Sequence, residues 1–134
     1  MMRMIRERKR GFTIIELLIV IAIIAILAAV AIPALLRAQK SGKESAALQV
    51  LKSLRNAEET YKTRSTASPK TYAADLTALK DDGSSPVGEG EVESASGYTF
   101  KSEGCDVDVY TIIAEPPKTD MITYTLADTG EIKP

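Results

Sequence analysis

The chain has 134 residues, with 17 Lys and Arg against 18 Asp and Glu, one Cys, no His and no Trp. The lack of histidine removes the Ser-His-Asp triad, the usual general base and every His-containing zinc site, and one cysteine cannot form an internal disulfide. No G-x-x-x-x-G-K-S/T phosphate loop occurs either, so no catalytic residue, cofactor or metal is expected and the chain reads as a non-enzyme.

In chain order, residues 1–11 come first, with Arg3, Arg6, Arg8, Lys9 and Arg10 set against Glu7. An apolar run then begins at Phe12, carries one charge, Glu16, and meets its first proline at Pro33. Between Leu17 and Ile32 no side chain is polar. As a helix, residues 12–36 reach roughly 37 Å at about 1.5 Å per residue, enough for a hydrocarbon core of about 30 Å. Unpaired backbone groups are too costly in lipid for anything but a helix in a single span. The basic leader is expected to stay in the cytoplasm, with the remainder exported. Glu16 lies four residues after Phe12, on the same helix face. A carboxylate in hydrocarbon costs about 2.5–3.5 kcal/mol on the mild insertion scales and needs a partner. Arg10 is near in sequence, and cleavage after Gly11 would add the α-amine of Phe12.

The segment KRGFTIIELLIVIAIIAILAAVAIP resembles the N-terminal class III signal of type IV prepilins and of the pseudopilins of type II secretion. The resemblance implies cleavage between Gly11 and Phe12 by a membrane-bound prepilin peptidase, followed by N-methylation of Phe12. It also implies that Glu16 neutralises the α-amine of an adjacent subunit during assembly. Pro33 matches the proline at which the helix loosens or kinks in filaments. A secretory signal cut after Ala29-Val30-Ala31 and an unprocessed anchor are the competing readings. Neither accounts for Gly-Phe followed by a lone acid four residues on.

Past Pro33, where the missing amide hydrogen predicts a kink, Ser41-Gly42 is a second weak point. Ala47, Val50, Leu51, Leu54, Ala57 and Tyr61 then recur at helical spacing, giving an amphipathic stem over 37–64. The stripe needs a cover, and the following segment is expected to supply it. Residues 65–97 read as a connecting region. It holds a short helical turn with Leu76 and Leu79 inward and an exposed acidic loop over 81–97. Asp81, Asp82, Glu89, Glu91 and Glu93 there are hard oxygen donors, but the expectation is a solvated loop. From Tyr98 the period becomes two. Strands are expected near 98–101, over 107–111 with Val107 and Val109 inward and Tyr110 outward, and over 122–126. A turn at Asp128-Thr129-Gly130 precedes Ile132. Asp106 and Asp108 are expected on one solvent-facing side. Cys105 is expected to be a half-buried structural thiol.

Helix first and sheet afterwards make an α+β pattern, with three or four antiparallel strands over 98–134. The resemblance implies the same arrangement, the pilin fold. It further implies a structural filament subunit, a homo-oligomer built on an inner-membrane assembly platform. Its precursor would be single-pass in the inner membrane with a cytoplasmic N-terminus, and its mature form would reside in an extracellular pilus. The alternatives are a pseudopilin of type II secretion, which would work in the periplasm, and a minor pilin. Removing residues 1–11 leaves 12 basic and 17 acidic residues, a charge of −5. A nucleic-acid partner is therefore not expected, and seven aromatics are better explained by packing than by electron conduction.

Overall fold

The computed structural model describes residues 11–66, 68–81, 83, 92–93, 97–106 and 108–134. The leader before Gly11, most of the expected acidic loop, and Val107 lie outside the described residues. The first element is helix α1, Ile14–Arg64. It is assigned through Pro33 and through Ser41-Gly42 without a break. Proline withdraws only its own amide from the i to i−4 ladder, and the turns on either side continue. Lys62 and Arg64 sit in the last turn, where positive charge meets the exposed carbonyls favourably. The Ser65 amide closes the helix by donating to the Tyr61 carbonyl at 2.8 Å.

Two compact units divide the chain within α1, at 1–37 and 38–134. In the first, the helix from Ile14 to Leu36 exposes apolar side chains on every face. In the second, the helix buries a stripe of Ala47, Leu51, Leu54 and Ala57, with Glu58 beside it. Val50 and Tyr61 pack partly against this core. The expected amphipathic stem is present.

Helix α2, Leu76–Asp81, covers one part of the stripe. Asp75 starts it, its carboxylate accepting from the Ala78 amide at 2.8 Å in an N-cap arrangement. Leu76 and Leu79 point into the core, as expected. An antiparallel meander covers the rest, with strands β1 (Val92–Glu93), β2 (Thr99–Glu103), β3 (Thr111–Glu115), β4 (Tyr124–Ala127) and β5 (Ile132–Lys133) in spatial order. The small antiparallel sheet is as expected, and two-residue strands close both of its edges among the described residues. β1 falls inside the segment expected to be loop. Such short edges leave little unpaired backbone to recruit another chain.

The second principal strand begins where the sequence had it ending. Tyr110 is fully buried and Val109 is 48% exposed, the reverse of the expected alternation, and the strand is Thr111–Glu115. The run D-V-D-V-Y imitates a half-buried strand, whereas T-I-I-A-E hides its period behind two adjacent isoleucines. Burial is decided by the facing stripe: Phe100 opposes Ala114 and Ile112 opposes Leu126 in cross-strand pairs along the inner face, all four fully buried. Tyr98, also fully buried, donates its hydroxyl to the Ile122 carbonyl at 2.9 Å and ties down the β3–β4 connection.

Candidate processing and assembly site

The site is the start of α1. Gly11, Phe12 and Thr13 precede the first helical residue and are exposed, Phe12 by 88%. The Gly11–Phe12 peptide bond therefore lies in non-helical backbone, the form a protease can draw into a cleft. A Cβ on Gly11 would meet no described atom within 4 Å, and its φ is not in the left-handed region. No packing among the described residues asks for glycine there.

Thr13 and Glu16 form a reciprocal capping box. One Glu16 carboxylate oxygen accepts from the Thr13 amide and from the Thr13 hydroxyl, each at 2.8 Å. The Thr13 hydroxyl in turn accepts from the Glu16 amide at 3.3 Å. These bonds satisfy orphan donors of the first turn and place a carboxylate at the positive end of the helix. Sequence reasoning looked for a cationic partner of Glu16 and passed over Thr13. The T-x-x-E spacing of residues 13–16 was the available signal. Glu16 thus has a local partner in the isolated chain and remains exposed.

Leu17, Leu18, Ile19, Ile23, Leu27 and Val30 are among the apolar residues exposed beyond Glu16. Burying one such side chain is worth about 1.5–3 kcal/mol, so in water the segment would be disfavoured by tens of kcal/mol. By length and composition this helix can cross a membrane. Pro33 lies within the same helix, towards the end of the apolar run. It stands 17 residues after Glu16 in the sequence.

Elsewhere, Cys105 is a half-buried free thiol, as expected. Burial, reinforced by Glu58, pushes its pKa up and keeps it protonated and unreactive. Asp108 is exposed and pairs with Lys62 at 3.4 Å. Of the acidic loop, Asp82, Glu89 and Glu91 lie outside the described residues.

Residues 6–32 match the family model of the prokaryotic N-terminal methylation motif. A search of curated proteins finds no significant match to the chain. The motif implies processing by prepilin peptidase and membrane association, and it points to a structural protein rather than to an enzyme. With this motif on an apolar N-terminal helix, the chain carries the signature of type IV pilins and pseudopilins and has the features of a membrane-anchored precursor of that kind.

Proposed function

We propose that this protein is the structural subunit of a type IV pilus-like filament. The observation that carries the reading is a helix apolar on all faces, with a single carboxylate in its first turn, four residues after Phe12. Such a surface leaves lipid only if other helices replace the lipid, and a bundle of identical helices does so. The peptidase cuts between Gly11 and Phe12, removes residues 1–11 and methylates the new terminus. The Phe12 ammonium then sits one residue before the capping box. In the bundle, Glu16 of one copy accepts from the Phe12 ammonium of a neighbouring copy. The pairing offsets the penalty of carrying two charges into a dry core and fixes how far one subunit is displaced along the next. Pro33 marks where the helix yields as it packs.

Glu16→Gln and Glu16→Ala test the pairing. Both variants should lose the leader normally, read by intact mass, because the carboxylate lies beyond the scissile bond. Filament yield in the sheared surface fraction should fall at least about tenfold, the effect of losing only about 1.4 kcal/mol per contact. Wild-type filament yield from either variant would refute the role of Glu16.

A further inference from the structure

The head has a buried acid that the filament reading does not use. Glu58 is the one charged side chain that is fully buried among the described residues. One carboxyl oxygen accepts from the Ala73 amide at 3.1 Å, and the other has no hydrogen-bond partner. Ala73 is itself fully buried and leads into α2. The same core holds a second buried oxygen without a partner, the Tyr110 hydroxyl. The Tyr110 ring stands edge-on to Tyr72, with centroids 4.7 Å apart.

Among the described residues, no cation is among the groups that act on Glu58. On α1 its neighbour Glu59 repels it, while Arg55 acts on Tyr110 instead. Lys62 is engaged by Asp108 at 3.4 Å and by the Tyr72 ring at 4.1 Å. On the segment before α2 stand Tyr72 and Asp75, and at the β2–β3 connection Cys105 and Tyr110. All four are acids, phenols or a thiol. An ionised carboxylate in such a place is costly, whereas the neutral acid keeps its bond from Ala73 and gains an O–H to donate.

We propose that Glu58 is a proton-operated latch that fastens residues 71–81 to the stem helix, closed when the carboxyl carries its proton and loosened when it does not. Burial, aided by Glu59 and opposed by the Ala73 hydrogen bond, raises the Glu58 pKa from 4.5 to about 7. The closed state therefore binds the proton more tightly than an opened state, in which the carboxyl is hydrated and titrates near 4.5. Closure is strongest below pH 4.5, and the opening constant rises about tenfold per unit up to about pH 7. Above that the carboxylate is ionised in both states and the dependence stops. The whole rise is on the order of a few hundredfold. The ligand of this site is the proton, and the latch stands whether or not the chain builds a filament.

The test uses the full-length chain in detergent micelles. Protection of the Ala73 amide from hydrogen exchange, corrected for the intrinsic pH dependence of exchange, is followed from pH 4.5 to 8. The wild type should lose protection by on the order of a hundredfold or more. In Glu58→Gln, which retains an acceptor for Ala73, protection should be nearly independent of pH. The β3 amides should keep theirs in both. A loss shared equally by Ala73 and β3 would overturn the latch, since it would reflect loosening of the whole head. If Glu58→Gln does not fold, the carbon-13 shift of the wild-type Glu58 carboxyl decides alone. A midpoint near 7 supports the proposal, and one near 4.5 overturns it.

Discussion

At the scale of single residues, two close approaches define what the chain tolerates. Thr13 and Glu16 satisfy each other at the start of α1, so the carboxylate is held at the helix terminus by the chain itself. Gly130, with φ of +77°, turns β4 into β5, and its amide donates to the Ala127 carbonyl at 2.8 Å. The Arg55 guanidinium lies so close that a Cβ on Gly130 would run into it. An arginine tip can swing away, so the backbone conformation dominates the penalty. Gly130→Ala should destabilise the head by about 1–2 kcal/mol, the usual penalty for a left-handed L-residue. Chemical denaturation of the full chain in micelles reads this. The turn itself was legible in Asp128-Thr129-Gly130. The approach of Arg55, 75 positions away in sequence, was not, because no local pattern encodes it.

At the scale of elements, α1 carries two different surfaces on one helix. Its first part is apolar all round, and its second is apolar along one stripe only. Both were legible, since a 3.6-residue period and its absence are each visible in the residues. Leu54 sits at the centre of the stripe and is fully buried. Leu54→Ala should lower the stability of the head by about 2–5 kcal/mol through lost burial and the cavity left behind. The apolar segment gives no reason for an effect on leader cleavage, and the mature mass checks that. Strand register was the least legible feature. Alternating Asp and Val at 106–109 mimicked a strand, while the true β3 places Ile112 inward and Ile113 half-exposed side by side. The choice between them is made by Phe100, Leu126 and the stem, all distant in sequence. Cys105 and the inward Leu76 and Leu79 were legible for the opposite reason, being short-range patterns.

At the scale of the whole molecule, charge and hydropathy change in order along the chain. A basic leader precedes an apolar helix; residues 37–64 then hold seven basic and three acidic side chains, and residues 65–134 hold five and thirteen. By the positive-inside rule, that order is the one expected of a membrane precursor whose basic end stays in the cytoplasm. Under the proposed removal of residues 1–11, the net charge would change from −1 for the full chain to −5. In the proposed filament subunit, residues 1–11 are temporary and Phe12 is the working N-terminus. Intact mass and N-terminal sequencing of the native protein, taken from sheared surface filaments and from membranes, test it most directly. The expected result is a chain beginning at N-methylated Phe12 and abundant in the sheared fraction. The same terminus confined to membranes would contradict the filament role while leaving the processing intact, and a chain beginning at Ile32 would contradict both.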